Sequence, residues 1–204
     1  MISGEEWVSI TPKSGSGKTA VKVKVKFLYG RLDRTTSVTI QTTTLPSKNE
    51  IVNIHQSAHP PFIQLESDNI IIDSKETSFS ILGNSNLKNI SFDLDDNDKN
   101  IPVIIPSYYM VDGKKVNNGS DIPKDPGATT LYSWQIDINI QANDTLENRE
   151  FDIIIKGDGV VVVCHITQLS IAQDFDYYPK VIELGNDNEA ELLTVISRVE
   201  WKIN

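Results

Sequence analysis

The chain has 204 residues, a formal net charge of −9 and 39% hydrophobic residues, enough apolar material for one large core or two smaller ones. The acidic balance argues against general nucleic-acid affinity, which needs clustered positive charge to displace counterions. One cysteine, Cys164, excludes an intrachain disulfide framework, and no apolar run approaches the ~18 residues of a membrane span.

The start, Met-Ile-Ser-Gly-Glu-Glu-Trp, lacks the basic opening and apolar centre of a secretion signal. A natural chain of this kind is expected to be made and kept in a cytoplasm, or packaged from one. Residues 11–21, Thr-Pro-Lys-Ser-Gly-Ser-Gly-Lys-Thr-Ala-Val, then end like a phosphate-binding loop at Gly17-Lys18-Thr19. Such a loop needs a glycine five residues before Gly17, where Pro12 stands, and a helix directly after the threonine. Residues 21–27 alternate instead, with Val21, Val23, Val25 and Phe27 on one face and Lys22, Lys24 and Lys26 on the other. That is the pattern of a half-buried antiparallel strand, so Gly15 and Gly17 are read as freedom in the loop feeding it.

Further strands are predicted at 37–42, 62–66, 91–94, 134–141, 151–155 and 160–166, most of them rich in β-branched or aromatic residues. The alternation repeats at Trp134, Ile136, Ile138 and Ile140, which puts Trp134 in the core. Asp112-Gly113 and Gly157-Asp158-Gly159 are hairpin turns. Short strands between Gly, Pro, Asn and Asp clusters indicate sandwiches. The fold class is all-β.

Two stretches share one order of parts. The first runs from the loop at Pro12 through the alternating strand and Arg34 to Ile54-His55-Gln56. The second runs from Pro123-Lys124-Asp125-Pro126-Gly127 through Trp134–Gln141 and Arg149 to Ile166-Thr167-Gln168. A Trp such as Trp7, a Pro-x-x-Gly-type loop, a long alternating strand, an Arg-bearing turn and a closing Ile-x-Gln together resemble the BACON domain. That family comprises immunoglobulin-like β-sandwiches of gut Bacteroidetes and of the crAss-like phages that infect them.

The resemblance implies tandem immunoglobulin-like sandwiches cut unevenly. Residues 1–58 correspond to the C-terminal half of a domain, 59–172 to a complete one with an inserted hairpin around 106–127, and 173–204 to an N-terminal half. In the tail Asn188 and Glu191, with Leu192, Ile196, Val199 and Ile203 at helical spacing, offer a rival helix; Thr194-Val195-Ile196 favours a strand. Each half alone exposes a strand edge and an apolar face that demand a partner. The tail can complete residues 1–58 of its own chain or of a neighbour, with Trp7, Val181, Ile182, Leu184, Leu192, Val195 and Trp201 as the strand-exchange residues.

Chemistry is sparse. His55, His59 and His165 sit at no metal-ligand spacing. Asp93, Asp95 and Asn97 alternate as in a calcium loop, but Asp98 and Ile104 stand where Gly and Glu are required. No catalytic constellation stands out; the expectation is a non-enzyme without catalytic residues, metal or cofactor. Tyr108, Tyr109 and Tyr132 are either core or a stacking platform for sugar. Lys22, Lys24 and Lys26 either meet an acidic partner, such as another copy of the chain, or guard an exposed strand. The expected function is structural, in a gut bacteriophage virion, as a capsid auxiliary or head-fibre attachment protein whose partners are other virion proteins or copies of itself. The alternative is a glycan- or mucin-binding or spacer module of a Bacteroidetes surface protein, on the cell surface or in the periplasm; neither reading involves nucleic acid or membrane insertion.

Overall fold

The computed structural model describes residues 7–171, 175–178, 182, 193–197 and 202–203. Among these residues regular structure is strand, apart from 3-10 turns at Asp96–Asp98 and Pro126–Ala128 and a 3-10 residue at Ile171.

The centre of the molecule is a two-sheet sandwich. One sheet is built from β5 (Ile63–Leu65), β7 (Ser78–Ser85), β9 (Val103–Ile104), β10 (Tyr108–Val111), β11 (Lys114–Asn117) and β12 (Tyr132–Ile140). Its order is β11-β10-β12-β7-β5, with β9 also pairing β12. The other has the order β6-β14-β13-β8, from β6 (Asn69–Ile72), β8 (Ser91–Leu94), β13 (Arg149–Gly157) and β14 (Val160–Gln168). All these pairs are antiparallel except β6 with β14. Asp112-Gly113 and Asp158-Gly159 take the two consecutive positive φ values that tight hairpin turns require.

The period-two pattern of β12 buries Tyr132, Trp134, Ile136, Ile138 and Ile140 between the sheets, against Phe151, Ile153 and Ile155 of β13 and Cys164 and Ile166 of β14. Ile81, Ile136, Ile138, Ile153 and Ile155 are wholly excluded from water, each contributing roughly 1.5–3 kcal/mol. Gly83 is dictated by packing: a Cβ there would lie 2.2 Å from the Gln64 carbonyl oxygen and 2.5 Å from the Trp134 ring.

Residues 7–56 form two further hairpins: β1 (Val8–Thr11) with β2 (Lys22–Val25), and β3 (Arg34–Gln41) with β4 (Asn49–Gln56). Residues 28–33 join them to the sandwich. Arg31 and Leu32 donate their backbone N–H groups to the Gly127 and Ala128 carbonyls, and His59 donates to Gly30. The Arg31 guanidinium binds the Asp125 carboxylate and the Asn86 carbonyl. Asn86, fully buried, donates its amide to the Tyr29 and Pro60 carbonyls and accepts from the Phe62 N–H. Gly30 fits because a Cβ would fall 2.4 Å from the Thr129 backbone. The joint is therefore a built contact.

Beyond Gln168, β15 (Phe175–Tyr178) and β16 (Thr194–Ser197) pair antiparallel as a separate ladder. Residues 194–197 are strand, as the β-branched run predicts.

Candidate functional site

The two stretches with the same order of parts also make the same bonds. In the N-terminal one, Arg34 Nε donates to Gln56 Oε1, and both side chains donate to the Lys26 carbonyl. In the sandwich, Arg149 donates to Gln168 Oε1, and both donate to the Gln141 carbonyl. Lys26 N–H donates to the Trp7 carbonyl as Gln141 N–H does to that of Pro102. Arg34 and Arg149 each sit opposite that glutamine in their ladder. Lys26 to Gln141 and Arg34 to Arg149 are displacements of 115 residues; Gln56 to Gln168 is 112. So β2, β3 and β4 are the counterparts of β12, β13 and β14.

Coverage is where they differ. Ile136, Ile138 and Ile140 of β12 are buried, whereas their counterparts Val21, Val23 and Val25 are 51%, 48% and 44% exposed. Ile155 and Cys164 are buried, whereas their counterparts Ile40 and Val52 are exposed. The alternation of residues 21–27 thus sorts apolar from charged side chains as predicted, but the apolar side is not half-buried: every residue of β2 is exposed. The difference is the neighbouring strand in the sheet. Here β1 supplies only Val8 and Ile10 opposite Val25 and Val23, with no strand placed, among the described residues, as β7 is beside β12. Without that neighbour β2 is four residues long where β12 has nine.

The face continues toward the joint as aromatic rings. Phe27 lies 4.6 Å from Tyr29 and 5.5 Å from His59, which is 5.0 Å from Phe62. Phe27 and Tyr29 remain exposed. Sequence reasoning missed this cluster, because its members are brought together by the joint; the signal present was the density of aromatics in Phe27-Leu28-Tyr29 and His59–Phe62.

Of the predicted strand-exchange residues, Trp7 is buried with Arg34 stacked 4.3 Å from its ring centre. Val195 lies in β16, and Ile182 is 37% exposed. Val181, Leu184, Leu192 and Trp201 lie outside the described residues. Lys22 and Lys24 project to solvent on β2, and Lys26, one residue beyond it, is equally exposed; its backbone serves the arginine–glutamine clamp.

The three tyrosines do not form one platform. Tyr108 and Tyr109 are neighbours on β10, so the pleat sends them to opposite faces. Tyr109 and Tyr132 are core residues at 1% exposure. Burial pushes the Tyr109 phenol up to about 12 and raises that of Tyr132 further, and the Tyr132 hydroxyl donates to the Leu87 carbonyl at 2.9 Å. Only Tyr108 is exposed, with Lys115 Nζ 3.6 Å from its ring centre.

The acidic turn at 93–100 is used within the fold: Asp95 accepts from the Asn97 N–H, and Asp98 from the Asp152 N–H. The Ala58 N–H, then the His55 ring, hold the Asp33 carboxyl below its usual range, tying the joint loop to the end of β4. A shallow open depression is lined by Leu65, Glu66, Ser67, Asp68, Val162 and Val163. Among the described residues no group of three or more His, Cys, Asp or Glu is placed to hold a metal ion, and no helix is long and apolar enough to cross a membrane.

Residues 2–57 match the BACON family. The family model describes a putative binding domain, N-terminal, so the exposed apolar face lies on the BACON segment. No curated protein matches the chain. Among solved structures, domains 4 and 5 of the S-layer protein SbsC align at 10% identity over 77% of this chain and 87% of that one, with a TM-score of 0.37. Domains 4–9 of the same surface layer protein give 11%, 86%, 24% and 0.40. Zebrafish RET cadherin-like domains 1 to 4 give 11%, 80%, 41% and 0.34. At these scores the likenesses carry no functional weight.

Proposed function

We propose that this chain is a non-enzymatic binding module that links the parts of a surface assembly through its β-sandwich faces, and that the assembly is a bacteriophage virion, where it acts as an auxiliary capsid or head-fibre attachment protein. One observation carries the binding reading. The BACON segment repeats the strands that form the core of the central sandwich, yet it presents Val21, Val23, Val25, Phe27, Ile40 and Val52 to water. Exposed apolar side chains on strands whose counterparts form a core mark an interaction surface. The match of residues 2–57 to a putative binding domain supports the same reading. The virion assignment rests on the resemblance to BACON sandwiches of gut phages.

Exposed Tyr108 favours one alternative, a sugar-contacting surface module, because an accessible phenol ring offers both an apolar face and a hydrogen-bonding tip. Fractionation separates the two. Phage particles purified by density gradient and washed in high salt are expected to retain the chain at a constant ratio to the major capsid protein. Recovery in the host envelope fraction instead would replace the virion assignment with that of a cell-surface module.

A further inference from the structure

The tail hairpin repeats the leading hairpin of the sandwich in register. In β5–β7, Ile63 pairs with Ser85 and Leu65 with Gly83. In β15–β16, Phe175 pairs with Ser197 and Tyr177 with Val195. Every one of these positions is displaced by the same 112 residues, which is also the displacement from Gln56 to Gln168. The connections agree too: six residues lie between Gln56 and Ile63, and six between Gln168 and Phe175. At the other end of the chain, Val8 pairs with Val25 and Ser9 with Lys24, as Val103 pairs with Ile140 and Ile104 with Asn139. The BACON segment thus carries the trailing strands of one repeat and the tail carries the leading strands of another.

In the sandwich the leading strand β7 lies beside β12, with Gly83 opposite Trp134, Leu82 opposite Gln135 and Ile81 opposite Ile136. Moving each partner by its own displacement places Val195 opposite Thr19, Thr194 opposite Ala20 and Leu193 opposite Val21. The sizes fit. Gly83 has no room for a side chain because the Gln64 carbonyl oxygen and the Trp134 ring crowd it; in the transposed pair a valine meets a threonine. Leu193, at the position of buried Ile81, is 43% exposed, and Val21, at the position of buried Ile136, is 51% exposed.

Reach favours a second copy as the source of the strand. The joint to the BACON segment lies at the β13–β14 turn end of the sandwich, where Lys88 N–H bonds Asp158 and Leu87 packs beneath Gly157. Gln168, where the tail departs, is at the other end of β14. Returning along that strand alone is about 26 Å. The nine residues from Gln168 to Tyr177, the partner of Val195, span at most about 32 Å, and Val21 stands six residues, about 20 Å of strand, from Phe27 at the joint.

We propose that β16 of one copy adds to the sheet of a second copy beside residues 19–25, with Val195 opposite Thr19 and Leu193 opposite Val21, so that copies join head to tail. Each copy donates at one end and accepts at the other, a heterologous contact that closes into a ring or extends as a filament. This inference rests on the binding-module reading and names its partner as the chain itself.

The test uses the full chain carrying Ala20→Cys mixed with the full chain carrying Thr194→Cys, under mild oxidation. Directly opposed strand residues have Cα atoms within disulfide span. Both positions are exposed, so neither change disturbs a core. Cys164 does not interfere: it is fully buried, and burial, with Asp68 and Asp152 adding to it, pushes its thiol up to about 11. The mixture is expected to yield a reductant-sensitive dimer, and the double variant a ladder of multimers. Pairing Ala20→Cys with Ser197→Cys, about 10 Å out of register, is expected to cross-link roughly tenfold less. No dimer in the mixture, whether the double variant bridges within one chain or not at all, overturns the inference. Should that occur while the chain stays bound to purified particles, only this linkage falls; loss of particle binding with cross-linking intact removes the virion assignment and keeps the linkage.

Discussion

Replacing Asn86 with Ala is expected to loosen the BACON segment from the central sandwich and to lower the stability of both. The Asn86 side chain satisfies the Tyr29 and Pro60 carbonyls and the Phe62 N–H from a fully buried position. Truncation leaves three backbone groups to find new partners, at about 1–3 kcal/mol for each that stays unpaired. A loss of about 3 kcal/mol is expected in urea unfolding, with new protease cleavage between residues 26 and 33. Asn86→Asp keeps the acceptor for Phe62 and loses both donations, so it should also cleave more readily there. Unchanged stability and protection would mean that the joint is held elsewhere, by Arg31 and Asp125 or by the Gly30 contact.

The second large effect comes as a contrast between counterparts. Ile155→Ala removes a fully buried side chain from the sandwich core and is expected to cost about 2–5 kcal/mol. Ile40→Ala, at the equivalent place in the BACON segment, starts from 58% exposure. In dilute chain it is expected to shift stability by no more than about 0.5 kcal/mol. Its effect should appear on self-association, which it weakens because Ile40 is among the apolar side chains that the BACON segment leaves exposed. Equal losses of stability from the two variants in dilute solution would mean that Ile40 already lies in a core. Differential scanning calorimetry at low concentration, then sedimentation of both variants, reads both quantities.

The central sandwich was legible because its strands alternate cleanly and its hairpins turn on Asp112-Gly113 and Asp158-Gly159. The same alternation misled at residues 21–27. Period-two patterning states which side chains share a face; whether anything covers that face depends on strands many residues away. The repeat was visible as Arg34 and Arg149, Gln56 and Gln168, although only the folded chain shows that both pairs close on a carbonyl at the end of the alternating strand. The tyrosine platform failed on a local rule already present in the chain: Tyr108 and Tyr109, adjacent on a strand, cannot present rings to the same ligand. The joint was illegible. Arg31 meets Asp125 across 94 residues and Asn86 meets Tyr29 across 57, and no local pattern announces either.

Head-to-tail linkage is tested most directly by the molar mass of the intact chain as a function of concentration, by sedimentation velocity, beside a chain lacking residues 173–204. The intact chain is expected to grow beyond the monomer as concentration rises while the shortened chain does not, because the accepting face then has no strand to receive. An intact chain that stays a compact monomer at every concentration would contradict the linkage.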